Sequence, residues 1–139
     1  MRIRDKIKKP QRPVVAYEIL PPREKDGTLN AYAETISSLL SQTHIDAINI
    51  PEVHDEVGRG ERPVSNQERG EPRKFGMLLQ DIVGIEAIVN RVVVHMPLKK
   101  QMEWIQETYS QFEIDNLVIV GGESSKQKYP GPTVNESLE

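Results

Sequence analysis

The 139-residue sequence contains no cysteine, and this absence excludes several kinds of chemistry. The protein has no disulfide, no thiolate nucleophile and no zinc site built on cysteine ligands. The sequence also lacks any run near the roughly 18 consecutive apolar residues that cross a membrane, and no apolar stretch follows its basic N-terminal segment. The lack of cysteine does not fix the compartment, but the lack of an apolar span and of a leader pattern favours a cytoplasmic protein with no membrane partner.

The chain also has little net charge. Its 18 basic and 21 acidic residues leave a formal charge of -3, so no overall field attracts nucleic acid or an anionic membrane surface. Hydrophobic residues make up 37% of the chain, which is enough for one core without a structural metal. Residues 1–139 are therefore predicted to form a single domain whose partners bind at local sites.

Strand and helix patterns alternate along the chain. Strands are predicted at Val14 to Leu20, Asp46 to Pro51, Ile88 to Val94 and Asn116 to Val120. Helices are predicted from Leu29 with Thr28 as N-cap, from Phe75 to a stop at Gly84, and over Leu98 to Phe112. The apolar stripe of the last helix is expected to face the core; its members are Leu98, Met102, Ile105, Tyr109 and Phe112.

Two polar segments interrupt or follow this pattern. Residues 52–73 hold few apolar side chains and are predicted to be a long loop. Residues 124–139 are predicted to be an irregular tail, in which Thr133 and Glu136 have the spacing of a capping box for a helix that starts near Val134. The order of elements predicts a parallel α/β sheet, and its continuous apolar strands predict that both faces are covered.

Glu18 is a candidate catalytic residue because it lies inside an apolar strand. An ionised carboxylate is costly there unless it is paired or faces a cavity. Burial would raise the pKa of Glu18 and make it a usable general acid near neutral pH. The alternative is a structural ion pair, for instance with Arg23 or Arg91.

Gly121, Gly122 and Glu123 directly follow the fourth predicted strand. Paired glycines let backbone N–H groups approach a phosphate or a flat heterocycle, although the spacing matches neither a Walker A loop nor the dinucleotide fingerprint. The alternative is a strand-ending turn that needs glycine only for positive φ.

His95 ends the third predicted strand, at the same edge as Glu18 and Glu123 if the sheet is parallel. Its ring could contact a cofactor, or it could be a satisfied structural group. His44 and His54 have no metal-ligand spacing with His95, and no metal site is predicted.

Four segments of the sequence resemble, in order, the N-terminal half of the methylenetetrahydrofolate reductase family: Tyr17-Glu18-Ile19-Leu20-Pro21-Pro22-Arg23, Gly60-Glu61-Arg62, His95 and Gly122-Glu123. Members of that family are flavin-dependent (β/α)8 barrels that pass a hydride from NAD(P)H through FAD to methylenetetrahydrofolate. Their product, methyltetrahydrofolate, serves methionine synthesis. The resemblance implies an α/β fold that is a truncated, parallel (βα)4 half of a TIM-type (β/α)8 barrel.

The resemblance also implies roles for particular residues. Glu18 matches the glutamate that acts as general acid when the folate methylene opens to its iminium form. His95, together with Gly121, Gly122 and Glu123, would bind the FAD cofactor; NAD(P)H would be the electron donor, and a folate would be the substrate. Glu123 stands where the family usually has an aspartate, Pro51 stands about where it has a threonine, and Met96-Pro97 replace polar residues. These differences indicate a divergent branch.

A half-barrel would leave its barrel-facing side chains and two strand edges uncovered. The prediction is therefore a homodimer or larger oligomer that associates through exposed sheet edges, with reductase activity only in a completed barrel. Two alternatives remain at this point. The chain could be a non-catalytic α/β module that binds a phosphate or nucleotide, or a purely structural fragment.

Overall fold

The computed structural model describes residues 2–54, 69–124 and 126–139. Over these ranges the chain forms five α-helices and four β-strands. In order, they are α1 (Ile3–Lys8), β1 (Ala16–Glu18), α2 (Leu29–Leu40), β2 (Ala47–Ile50), α3 (Pro72–Val83), β3 (Ala87–Val92), α4 (Leu98–Phe112), β4 (Asn116–Val120) and α5 (Val134–Leu138).

The four strands form one parallel sheet in the order β1-β2-β3-β4. Each strand after β1 lies beside the strand that precedes it in the chain, so the strand order does not reverse as it does in a doubly wound sheet. The register places one residue from each strand in a single row across the sheet: Glu18, Asn49, Ile88 and Asn116. The predicted α/β class and parallel sheet are confirmed.

All three crossover helices pack on one face of this sheet. Ile48 and Ile50 of β2 share a buried core with residues of α2 and α3. Arg91, on the same face of β3, bonds to Gln101 of α4. The prediction that helices cover both faces is therefore wrong, because all three crossover helices lie on the same face. We call the opposite side the open face; it carries Glu18, Asn49, Ile88, Asn90, Val92, Asn116, Val118 and Val120.

The core between the sheet and the helices is centred on Phe75 and Leu79 of α3, which are completely buried. Gly76 lies between them because a side chain there would crowd the core: a Cβ atom would lie 3.1 Å from Ile50 and 3.1 Å from Ile114. The missing side chain lets α3 approach the sheet closely and outweighs the low helix propensity of glycine.

The helix ends agree with the local signals in the sequence. The Thr28 side chain accepts a hydrogen bond at the start of α2, and Gly84 ends α3 in the left-handed conformation with φ of 71°. Thr133 and Glu136 form the predicted capping box of α5, so the tail 124–139 is not wholly irregular. Helix α3 begins at Pro72, inside the predicted loop 52–73, of which residues 55–68 lie outside the described residues.

Helix α4 buries a different face from the predicted one. Gln101 and Thr108 are completely buried. The Gln101 side chain accepts from Nε of Arg91 and donates to the carbonyl of Val93, at 2.8 and 2.7 Å, so these polar bonds orient the helix. Three members of the predicted apolar stripe are instead exposed, at 45%, 51% and 68%: Leu98, Met102 and Tyr109. The predicted core role of these three residues is wrong.

An acidic residue immediately precedes each of the last three strands, and each bonds to the N-terminal segment: Asp46, Glu86 and Asp115. Asp46 accepts from Lys6 at 2.9 Å, from Arg12 at 2.8 and 3.0 Å, and from the Val15 N–H at 2.9 Å. The Ile3 N–H donates to Glu86, and Arg2 pairs with Asp115. Helix α1 thus covers the N-terminal edge of the sheet.

The buried carboxylate of Asp46 is strongly stabilised by these donors. The Val15 N–H, Lys6 and Arg12 favour the ionised form and outweigh the cost of burial, so the pKa of Asp46 lies well below its usual range. The N-terminal edge therefore holds a charge cluster whose members satisfy one another.

Candidate functional site

A cavity of about 230 Å³ lies at the C-terminal edge of the sheet, where parallel α/β proteins place their ligands. Its polar wall comes from residues that follow β2 and β4 and from one residue of β3: Glu52, His54, Asn90, Gly121 and Glu123. Its apolar wall is made by Pro51, Val53, Val92 and Val120. Two residues predicted from the sequence, Gly121 and Glu123, thus line one cavity.

Glu18 lies on the open face at the C-terminal end of β1, but it is exposed. The predicted burial of this carboxylate is wrong, because β1 is a short strand at the edge of the sheet and no other described strand pairs with its outer side. Nδ2 of Asn49 donates to the Glu18 carboxylate at 3.3 Å. The two suggested ion-pair partners do not meet Glu18, since Arg23 pairs with Asp26 and Arg91 pairs with Glu52.

His95 is not at the end of β3, which stops at Val92. It lies in a 3₁₀ turn, Val93–His95, that follows the strand. Its ring centre is 4.4 Å from that of His54 and 5.7 Å from that of Tyr129. His54, and not His95, is in the cavity wall. The structure therefore places the predicted histidine between two other rings.

Glu52 joins the ends of β2 and β3 and was missed by sequence reasoning. Its carboxylate accepts from Nη1 of Arg91 at 2.7 Å and from the Val92 N–H at 2.7 Å, and it lies 3.0 Å from Nε2 of His54. Burial raises the pKa of Glu52, but the bond to His54, the charge of Arg91 and the Val92 N–H outweigh it, so the pKa lies below its usual range. Glu52 is thus an ionised anchor that fixes His54 and Arg91.

A signal for this anchor exists in the sequence. Arg91 is a cation inside an apolar strand, and it is 6% exposed in the fold. Such a group requires a nearby acid. Glu52 directly follows the neighbouring strand and is the acid that meets it.

The two consecutive glycines, Gly121 and Gly122, differ in how much space the fold leaves for a side chain at each position. A Cβ atom on Gly122 would lie 2.1 Å from the Tyr129 ring, whose hydroxyl oxygen accepts from the Ser124 N–H at 2.8 Å. Gly122 is therefore explained by packing within the protein. A Cβ atom on Gly121 would meet only Val134, at an ordinary 3.6 Å. Neither glycine has positive φ, so the turn alternative is wrong for both.

Other places on the molecule offer less chemistry. Among residues 2–54, 69–124 and 126–139, no group of three or more histidine, aspartate or glutamate side chains is arranged to hold a metal ion. A cavity of about 370 Å³ between α1 and β1 contains Lys6, Arg12 and Asp46, which already bond to one another. No helix in the described part of the chain has the length and apolarity to cross a membrane.

Comparison with known proteins adds no family assignment. Neither the protein-family models nor the curated proteins contain a match to this chain.

Proposed function

We propose that the chain is one half of a methylenetetrahydrofolate reductase-like flavoprotein, a (βα)4 unit that acts when a second half completes the barrel. The observation that carries this proposal is that two acids lie at the C-terminal ends of strands in one parallel sheet. Glu18 ends β1, and Glu123 follows β4 and lines the cavity there. These are the two acids for which the resemblance implies a role.

The residues in the cavity fit part of a flat cofactor. Gly121 has no side chain, although neither packing nor φ requires glycine at this position, and the gap leaves room for a ring to approach the backbone. The volume of about 230 Å³ is below the roughly 300–1,000 Å³ of sites that enclose a whole ligand. The described residues would therefore hold one end of the ring system, and the second half would supply the remainder.

The roles of the chain's own residues follow from their positions. When bound, FAD would relay a hydride from NAD(P)H to the methylene carbon of methylenetetrahydrofolate. Glu18 would donate a proton to the folate as its methylene opens to the iminium form, and the Asn49 amide orients the carboxyl group. Gly121 and Glu123 would contact the ring system, while His95 supports His54 from behind the cavity wall.

Exposed apolar side chains support completion by a second unit, which we propose to be a second copy of this chain. Tyr17 of the free edge strand β1 is 50% exposed, and Val118 of the other edge strand is 43% exposed. Met102 and Tyr109 extend along the outer side of α4. Two copies related by a two-fold axis would pair β4 of each with β1 of the other.

Light scattering after size exclusion tests this association. The wild-type chain is expected to elute as a dimer or larger oligomer, and the double substitution Met102→Lys, Tyr109→Lys is expected to shift it toward monomer. Gln111→Lys, on an exposed polar position of the same helix that lies away from the Met102–Tyr109 stripe, serves as the control. A wild-type monomer at micromolar concentration would contradict the proposal of a homodimer.

The rival function, a phosphate- or nucleotide-binding module, has less support. Concave anion sites use successive backbone N–H groups that alternate between right- and left-handed conformations. Gly121 and Gly122 both lack the left-handed conformation. The two functions also differ in the effect of Glu18→Gln, which abolishes turnover by a reductase but leaves the affinity of a binding module nearly unchanged.

Titration with FAD, followed by quenching of flavin fluorescence, tests the proposed function directly. Saturable binding is expected, and Glu123→Ala and His95→Ala are expected to weaken it. Glu103→Ala, an exposed glutamate on α4, is the matched control and should not change affinity. Reductase activity would then be measured with the oligomer, with and without Glu18→Gln. Absence of saturable flavin binding would contradict the proposal.

A further inference from the structure

Asn90 is a polar residue in the cavity wall that no motif in the sequence singled out. It lies on the open face of β3, paired in register with Val118 of β4. Its Oδ1 atom is buried and, within the described ranges, has no hydrogen-bond partner. An acceptor left in this state costs the folded protein the desolvation of that atom, so such groups are rare unless a ligand satisfies them.

The surroundings of Asn90 restrict what that ligand can be. Pro51, Val53, Val92 and Val120 supply apolar wall, which disfavours a ligand group with a full positive charge. The nearby Glu52 carboxylate is already paired with the Arg91 guanidinium at 2.7 Å, so it adds little attraction for a cation. A flat ring with an N–H in its plane satisfies both requirements, because its faces are apolar and its edge donates.

We infer that the side-chain oxygen of Asn90 accepts a hydrogen bond from the ring N–H of a bound fused pyrimidinone. This inference rests on the proposed function, since flavins and pterins both contain such a ring N–H. It assigns a binding residue on β3, between Glu52, which follows β2, and Gly121, which follows β4. The edge of the ring would enter over Gly121, where the missing side chain leaves space.

Paired ligands that differ only at this nitrogen provide the test on the wild-type chain. Riboflavin is compared with 3-methylriboflavin by fluorescence quenching, and pterin with 3-methylpterin by calorimetry. Loss of one hydrogen bond is expected to weaken the methylated member by roughly three- to tenfold. Discrimination in either pair supports the inference, and the parent ring that binds more tightly identifies the ligand as a flavin or a pterin.

The substitution Asn90→Leu provides a second test, because it is expected to impair ligand recognition without lowering the stability of the protein. It is expected to abolish discrimination between the paired ligands while Tm of the ligand-free protein stays equal or rises, because an unsatisfied acceptor is removed. Asn116→Leu is the matched control on the same face. The Asn116 amide donates to Glu86 and to the carbonyl of Ala87, so its loss is expected to lower Tm slightly and leave binding unchanged.

Each outcome distinguishes this inference from the proposed function. If a ring binds but its methylated form binds equally well, the role of Asn90 is wrong and the proposed function stands. A fall in Tm for Asn90→Leu at least as large as that for Asn116→Leu would likewise show that Asn90 has a structural role. If neither ring system binds up to its solubility limit, the proposed function fails and the inference fails with it.

Discussion

The two edges of the sheet differ in how completely their polar groups are satisfied. At the N-terminal edge, Asp46 is surrounded by donors and α1 covers the strand starts. At the C-terminal edge, a cavity remains and the Oδ1 atom of Asn90 has no partner among the described residues. Groups that satisfy one another stabilise a fold, whereas unsatisfied groups around a cavity are typical of binding sites. The difference indicates which edge serves stability and which serves function.

The largest effect is expected from Asp46→Asn at the N-terminal edge. An amide has only one acceptor oxygen, so at least one of the donors from Lys6, Arg12 and Val15 would face another donor. Thermal unfolding is expected to show a fall in Tm of roughly 5–10 °C, whereas the exposed Asp81→Asn on α3 should leave Tm unchanged. A fall no larger than that of the control would remove the distinction between the edges.

The low pKa of Asp46 predicts that the stability of the protein depends on pH. Because the folded-state pKa of Asp46 lies below its unfolded value of about 4, the stabilisation is fully present above that pH and is lost as the pH falls below it. The Tm of the wild type is therefore expected to fall more between pH 6 and pH 3 than that of Asp46→Asn. Parallel decreases for both proteins would contradict this assignment.

A smaller loss is expected from Glu52→Gln at the C-terminal edge. The change removes the charge that holds Arg91 and places an N–H group opposite another donor, at a cost of about 1.5–3 kcal/mol in urea unfolding. Arg91 lies 4.3 Å from the ring centre of Trp104, the one tryptophan of the chain, so the emission spectrum should change as well. Glu103→Gln is the exposed control. An unchanged emission spectrum would show that Glu52 does not position Arg91.

The contrast between stability and binding can also be tested within one loop, at the two glycines that follow β4. Gly122→Ala is expected to displace the Tyr129 ring at a cost of about 1 kcal/mol, a modest value because the ring end can swing away. Gly121→Ala should alter the free energy of unfolding by less than about 0.5 kcal/mol and instead weaken flavin binding. Equal stability losses for the two variants would disprove that Gly121 is reserved for a ligand.

The smallest effect is expected from Arg2→Ala. The Arg2–Asp115 pair is at the periphery of the N-terminal edge, where Arg2 is 58% exposed, so its loss should cost at most about 1 kcal/mol and less at high salt. A cost that persists in 1 M salt would contradict the description of Arg2–Asp115 as a solvent-screened pair at the periphery.

Local features of the fold could be predicted from the sequence, and contacts between distant segments could not. Thr28, Gly84 and Thr133 act on neighbouring residues, so their roles as caps follow from spacing. The buried face of α4 depends instead on Gln101 meeting Arg91 of the preceding strand, which hydrophobic periodicity does not register. The same limit explains why only part of the site was predicted. Gly121 and Glu123 could be identified because they directly follow a strand. Glu52 and Asn90 could not, because their roles depend on the pairing of β2 with β3.

The position of α1 has a consequence for synthesis on the ribosome. Helix α1 leaves the ribosome before any strand of the sheet, yet its contacts are with Asp46, Glu86 and, through Arg2, Asp115. The last of these partners is 113 residues away in sequence, so the segment cannot complete its contacts until β4 is being made. The α1 segment therefore becomes fixed only when the segments that carry its partners have been added in order.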